Sequence, residues 1–254
     1  MTDFATYPSL KDLPVLITGG ASGIGAAMVE AFARQGARPA FVDFDETAAA
    51  ALLEKLAPLG ADIAFEPCDL RDIEAMKAAF ARIETRIGAP LVLVNNAARD
   101  DRHGWETVTP DYWDERMATN LRHQFFAIQT LAPGMIAAGK GSIINMGSVS
   151  WMMPQGGMPA YTTAKSAVHG MTRSFAADLG KHRIRVNAIA PGWIMTERQQ
   201  TLWLTPQARE KHLERQLLPD LIDPVYLANM VLFLASDDAA MCTAQTFIVD
   251  GGTV

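Results

Sequence analysis

Leu13-Pro-Val-Leu-Ile17, Thr18-Gly-Gly-Ala-Ser-Gly-Ile-Gly25 and Ala26-Ala-Met-Val-Glu-Ala-Phe-Ala-Arg-Gln35 read in order as a short apolar strand, a glycine-rich turn and a helix. A helix that begins at such a turn aims free backbone N–H groups at it, and those groups stabilise a phosphate. Gly19 lets the chain reverse sharply, Gly23 lets backbone approach a pyrophosphate and Gly25 permits close helix packing, with Ser22 and Ile24 completing the surface. The spacing is T-G-x-x-x-G-x-G and departs from G-x-G-x-x-G, so the turn alone is also read as a plain glycine loop. The next element favours the phosphate reading. Arg38-Pro-Ala-Phe-Val-Asp43 is a second strand ending in an acid 20 residues beyond Gly23, where dinucleotide sites place a carboxylate on the adenosine ribose hydroxyls. A carboxylate there repels a 2′-phosphate, and no Lys or Arg lies in the turn to offset it, so Asp43 points to NAD rather than NADP.

The alternation continues toward the C-terminus. Ile63-Ala-Phe65 precedes Cys68-Asp69, a helix spans about Ile73 to Ile87, and Leu91-Val-Leu-Val94 runs into Asn95-Asn-Ala-Ala98. Further strands are Gly141-Ser-Ile-Ile-Asn-Met146, Ile184-Arg-Val-Asn-Ala-Ile189 and Thr246-Phe-Ile-Val249. Long helical stretches run from about Pro110 to Ala138, which Pro133 is expected to perturb, and from Ala160 to Gly180. Strands alternating with helices predict an α/β fold, a doubly wound seven-stranded parallel sheet flanked by helices. A chain of 254 residues fits one such domain over 1–254. Ligands in these sheets bind beyond the carboxyl ends of the strands, where strand order reverses. Asp43, Asp69, Asn95-Asn96, Ser148 and Pro191-Gly192 all follow apolar strands directly, which predicts that they share one site.

With 22 basic and 28 acidic residues the formal charge is −6, so no bulk positive field recruits nucleic acid or anionic lipid, and a small metabolite is the expected partner. Cys68 and Cys242 lack ligand-like spacing, which predicts no metal site. Without a signal peptide they read as reduced core thiols of a cytoplasmic protein. The longest apolar stretches fall far short of the roughly 20 residues of a membrane span.

Pro159-Ala-Tyr-Thr-Thr-Ala-Lys165 places Tyr161 and Lys165 four residues apart on one helix face. A lysine ammonium beside the phenol favours phenolate. Bringing a tyrosine from its ordinary pKa of about 10 toward operating pH needs roughly 2 units. Alone, the pair also describes an exposed amphipathic helix; the strand-end residues give it context.

These features resemble the short-chain dehydrogenase/reductase family over almost the whole chain. The similarity lies in the turn Thr18–Gly25, the acid of Asp69-Leu70, the Asn95-Asn96-Ala97 motif, Asn120, Ser148, Tyr161 with Lys165, and Pro191-Gly192. The resemblance implies a single-domain Rossmann fold binding NAD through Gly19, Ser22, Gly23, Ile24, Gly25, Asp43, Asp69, Leu70, Asn96, Ala97, Tyr161, Lys165, Pro191 and Gly192. Ile194 and Thr196 would meet the carboxamide. It also implies a catalytic tetrad. Tyr161 takes the substrate hydroxyl proton as hydride leaves the same carbon, Ser148 orients the oxygen, Lys165 tunes the tyrosine and bonds the cofactor ribose, and Asn120 holds a relay water. Ala98 departs from the family's usual glycine.

Within the family the chain is most similar to bacterial NAD-dependent aldose 1-dehydrogenases for D-galactose, D-xylose or L-arabinose. That similarity rests on Tyr7-Pro-Ser-Leu10, Asp100-Asp-Arg-His103, Tyr112-Trp-Asp-Glu-Arg116, Asn120-Leu-Arg-His123, Ser150-Trp151 and Leu234-Ala-Ser-Asp-Asp238. It implies oxidation at the anomeric carbon to an aldonolactone. Substrate loops are expected at about 99–105, 150–158 and 192–217. Trp151, Trp193 and Trp203 offer flat faces for a sugar ring, while Gln155, Arg198 and Gln199 suit its hydroxyls, beside Ser148 and Tyr161. The tryptophans equally suit core or subunit packing, and Asp101, Arg102, Glu115 and Arg122 equally suit a polar brace. A polyol or other secondary-alcohol dehydrogenase, and a catalytically silent nicotinamide-binding regulator, remain as alternatives. The resemblance also implies a homotetramer built on the two long helices, with Ala164, Ala167, Val168 and Met171 in contact.

Overall fold

The computed structural model describes residues 4–254. Its strands are β1 Pro14–Thr18, β2 Arg38–Asp43, β3 Ala64–Pro67, β4 Val92–Asn95, β5 Gly141–Met146, β6 Ile184–Pro191 and β7 Thr246–Val249. They pair in parallel throughout, in the order β3-β2-β1-β4-β5-β6-β7. This is the single-domain Rossmann architecture expected from the alternation. β1, β3 and β4 each sit about one residue later than the apolar runs suggest, and β6 extends to Pro191. Apolar runs report burial, whereas strand ends are set by which backbone groups find a neighbour.

The central strands are buried on both faces. One apolar layer joins them to α1 Gly23–Arg34, α2 Glu46–Leu56 and α9 Pro224–Ala235, with Phe32 and Phe41 at its centre. The other joins α3 Ile73–Ile87, α5 His123–Ala138 and α6 Pro159–Leu179, around Phe80, Met135 and Ile143. The chain winds outward from β1 to β3, then crosses to β4 and winds the other way. The reversal between β1 and β4 opens a crevice at the carboxyl ends of the strands.

The long helix from Pro110 is not interrupted where Pro133 predicts. α5 runs through Pro133, and Gln129, whose carbonyl the proline leaves without a helical donor, is exposed, so solvent has access to that carbonyl. The break comes earlier. α4 Pro110–Met117 and α5 are joined by a π-helical turn, Ala118–Arg122, centred on Asn120. Asn120 Nδ2 donates to the Arg116 carbonyl at 3.1 Å and Gln124 Nε2 to the Asn120 carbonyl at 3.3 Å, so side-chain amides enter the helical ladder. Of the four helix positions expected at a subunit contact, Ala164 and Val168 lie wholly inside the protomer and Met171 is half-buried; only Ala167 is exposed.

Candidate active site

The glycine turn is held from both sides. Thr18 Oγ1 accepts N–H bonds from Asn96 and Ala97 at 3.0 and 3.1 Å, and Asn96 Nδ2 donates to the carbonyls of Thr18 and Gly19 at 3.0 and 2.8 Å. Gly19 and Gly23 have φ of 66° and 55°, where a side chain would be strained. A Cβ on Gly25 would overlap the Gly19 carbonyl oxygen, and one on Gly19 would lie 2.8 Å from the Ala97 Cα. Ser22 precedes α1 in extended conformation without spending its side chain on the helix. The α1 N-terminus therefore faces an open cradle with its backbone donors. At the end of β2, Asp43 accepts from the Ala21 and Asp45 amides at 3.0 and 3.2 Å, which fixes its carboxylate at the cradle's rim.

This cradle opens into one cleft of about 1810 Å³. Every predicted cofactor residue lines it, from the turn through Asp69, Leu70, Asn96 and Ala97 to Pro191, Gly192, Ile194 and Thr196. The residues present fit a dinucleotide: a side-chain-free cradle at a helix N-terminus, then a fixed carboxylate. Ala98 has no positive φ and is exposed in the cleft, so its methyl group causes no backbone strain.

Ser148, Tyr161 and Lys165 meet on the cleft floor. Ser148 follows β5, its Oγ accepts from the Ser150 amide at 3.1 Å, and its hydroxyl favours the ionised form of Tyr161. Lys165 is buried, and its Nζ donates to the Met146 carbonyl at 2.7 Å. That nitrogen lies 5.8 Å from the Tyr161 ring centroid. Burial is the largest influence on the titration of both groups. Burial pushes Tyr161 up to about 12, reinforced by the Asp100 charge and opposed by Ser148 and Arg102. Burial also draws Lys165 down to about 7. Helical spacing brings the two side chains together, and desolvation disfavours the charged form of each.

Asn120 does not line the cleft. It is wholly buried at the π turn, where Oδ1 accepts the Arg99 amide at 2.7 Å while Nδ2 holds Arg116. Its side chain thus anchors the start of the 99–105 loop rather than standing free for a water. Trp151 is also displaced from its expected place. It lies outside the main cleft, with Nε1 donating to His169 Nε2 at 2.9 Å and the rings 4.9 Å apart. Gln155, Trp193 and Arg198 do line the cleft, as does Trp203, over which Arg102 stacks at 5.5 Å. Trp193 Nε1 donates to Gln199, whose Nε2 donates to Asp100, both at 2.8 Å.

Of the four residues expected in a polar brace, Asp101 and Glu115 take part, with Arg116 as the keystone. Arg116, nearly buried, donates to Asp101 at 2.7 Å and pairs with Glu115. Asp101 also pairs with Arg198 at 2.9 Å, and Glu115 with Arg71 at 3.2 Å, which in turn holds Asp69 at 2.6 Å. Arg102 takes no close part in it, and Arg122 joins only through the Arg71 carbonyl. His103, too, carries more than its position in a loop suggests. α6 has no side-chain cap of its own, and His103 Nε2 accepts the Ala160 amide at 3.1 Å, one residue before Tyr161. Both contacts join segments far apart in the chain, so spacing could not reveal them.

A dinucleotide cradle joined to a Ser-Tyr-Lys floor defines a nicotinamide-dependent oxidoreductase. The profile of a family described as "Enoyl-(Acyl carrier protein) reductase" matches residues 19–254, and the chain belongs to the short-chain dehydrogenase/reductase family as an oxidoreductase acting on CH–OH. The chain is 50% identical over 247 residues to the "Probable galactose dehydrogenase GalD" of Rhizobium meliloti, covering 97% of this chain and 96% of that protein. It is 46% identical to the "D-xylose 1-dehydrogenase" of Caulobacter vibrioides, covering 98% of each. A crystal structure of a 3-oxoacyl-[acyl-carrier protein] reductase with bound NAD from Brucella melitensis superposes with a TM-score of 0.88 at 32% identity, over 99% of this chain and 97% of that one.

Proposed function

We propose that this enzyme oxidises an aldose, of the D-galactose, D-xylose or L-arabinose type, at the anomeric carbon to the aldonolactone, with NAD as acceptor. The observation that carries the reading is Ser148, Tyr161 and Lys165 on the floor of a cleft that begins at a dinucleotide cradle. Full-length similarity to two sugar dehydrogenases supports the substrate class. Bound nicotinamide supplies the hydride acceptor. The chain's own residues do the rest: Ser148 holds the substrate oxygen, Tyr161 accepts its proton, and Lys165 meets the cofactor ribose. Asn120 acts by positioning, through Arg99. Gln155, Trp193 and Arg198 form the sugar wall, in loops at about 99–105, 150–158 and 192–217.

NAD is favoured because Asp43 is fixed at the rim while its neighbours Phe44 and Asp45 offer no cation to a 2′-phosphate. We place the enzyme in the cytoplasm as a homotetramer. Both cysteines are free thiols, and among the described residues no helix is long and apolar enough to cross a membrane.

Reduced-cofactor absorbance with a panel of aldoses and polyols, run with NAD and with NADP, tests the reading. Turnover of aldoses with NAD preferred at least tenfold in kcat/KM is the expected result. Polyol oxidation alone would reassign the substrate, comparable use of NADP would displace Asp43 from its role, and tight NADH binding without turnover would indicate a silent regulator.

A further inference from the structure

We propose that Asp100 is a specificity-determining residue: its carboxylate accepts hydroxyl groups of a neutral, polyhydroxylated substrate and so favours neutral sugars over anionic ones. The inference rests on the dehydrogenase reading and deepens it.

Two adjacent acids follow the Asn-Asn-Ala motif, and the structure uses them differently. Asp101 is spent on structure. Its oxygens take Arg116 at 2.7 Å, Arg198 at 2.9 Å and Arg99 at 3.0 Å. Asp100 has one close partner, Gln199 Nε2 on Oδ2 at 2.8 Å. Arg198, 3.7 Å from Oδ1, and Arg102, at 3.9 Å, face it as ion pairs but are too distant to fill its acceptor positions with hydrogen bonds. Among the described residues no hydrogen bond reaches Oδ1, although the side chain is only 22% exposed. A carboxylate is an acceptor only, with roughly four lone-pair positions. Asp100 therefore presents unclaimed acceptor capacity in a partly desolvated cleft, and Gln199 holds it in place.

Asp100 lines the same cleft as Ser148, Tyr161 and Lys165, and its charge raises both Tyr161 and Lys165. A substrate seated on Tyr161 and Ser148 brings further hydroxyls within this neighbourhood. Hydroxyls are the donors that Oδ1 lacks, and a carboxylate on the substrate would add a second negative charge. Around Tyr161 stand Ser148, Asp100 and Arg102, with Lys165 below; His123 and His169 face Lys165. Asp100 is the one carboxylate in that set.

The test uses Asp100→Asn, which keeps the shape and removes the charge, with D-galactose and D-galacturonate as a neutral and anionic pair sharing one ring. KM for galactose should rise roughly ten- to a hundredfold, the range expected for losing a charge-assisted hydrogen bond. The galactose-to-galacturonate ratio of kcat/KM should fall at least tenfold while KM for NAD stays constant. The alkaline limb of the pH profile should move to lower pH, because a charge opposing phenolate is gone. Asp101→Asn, which loosens the loop and its Arg198 pairing but keeps the Asp100 charge, should leave that limb in place. Calorimetry of galactose with the enzyme–NADH complex keeps the result independent of turnover, and Asp100→Ser repeats the test if the Asn variant misfolds. Equal sugar affinity in wild type and variant, or an unchanged ratio and pH limb, would overturn the role of Asp100. Absence of all aldose turnover in the wild type would instead sink the dehydrogenase reading.

Discussion

Burial acts in opposite directions on the two titrating members of the floor, raising the Tyr161 phenol and lowering the Lys165 ammonium. The base form of Tyr161 is therefore scarce near neutrality, and the oxidation rate should climb with pH into the alkaline range. Tyr161→Phe should lower kcat by roughly 10²- to 10⁴-fold, the worth of general acid–base catalysis, with NADH affinity retained by fluorescence titration. Activity within tenfold of wild type would remove Tyr161 from the proton transfer. His123 offers a second test at this scale. It is wholly buried, its Nε2 bonds the Ala97 carbonyl at 3.0 Å, and burial, aided by Lys165, lowers it to about 4. Folded protein thus binds this proton less readily than unfolded protein does. The stability contribution is complete above about pH 6.5 and is lost as pH falls toward about 4, by at most about 3 kcal/mol. Urea unfolding at about pH 7 and about pH 4.5 should show a smaller acid loss in His123→Leu than in wild type. Equal losses would count against it.

Leaving aside α5, which continues out of the π turn, α1 and α6 stand apart among the helices. α2, α3, α4 and α9 are each capped by an Asp or Thr side chain, as are the short helices α7 Glu197–Leu202 and α8 Pro206–Leu213. α1 and α6 lack such a cap, and both begin at the cleft. For α6 the partner comes from His103; for α1 the open donors are the cradle itself. The cradle depends on backbone meeting backbone. Gly25→Ala should force the turn apart, costing at least about 1–3 kcal/mol of stability, as overpacking typically does. It should also weaken NAD binding more than tenfold, measured by calorimetry beside thermal unfolding. Unchanged NAD affinity would show that the turn does not hold the phosphates.

At the scale of the molecule, an alternating run of charge joins Asp69, which follows β3, to Arg198 in the outer loop, through Arg71, Glu115, Arg116 and Asp101. Most of these charges are partly exposed, so the run fixes geometry more than it adds stability. On the outer face, α5 exposes Phe125 and Ile136, three turns apart on one side, and Phe125 stacks on Phe126 and Phe175. If the proposed tetramer uses this face, sedimentation at micromolar concentration should show four chains, and Phe125→Asp should give a smaller species. A wild-type monomer would exclude the assembly.

The Gly-rich turn between strand and helix, the acid closing the second strand and the strand-end polar residues were legible because each follows from local backbone demands. Glycine goes where a Cβ would collide, apolar runs go where both sheet faces are covered, and these determine the fold and nearly all of the cleft lining. The tertiary structure alone decided what depends on residues distant in the chain. It buried Asn120 behind Arg99, turned Trp151 onto His169, and made Arg116 the keystone. It also left Asp100 open where Asp101 is saturated, and set the burial that raises Tyr161. Desolvation and hydrogen-bond partnership belong to the packed environment, and four residues of helical spacing carry no information about how much water the fold removes.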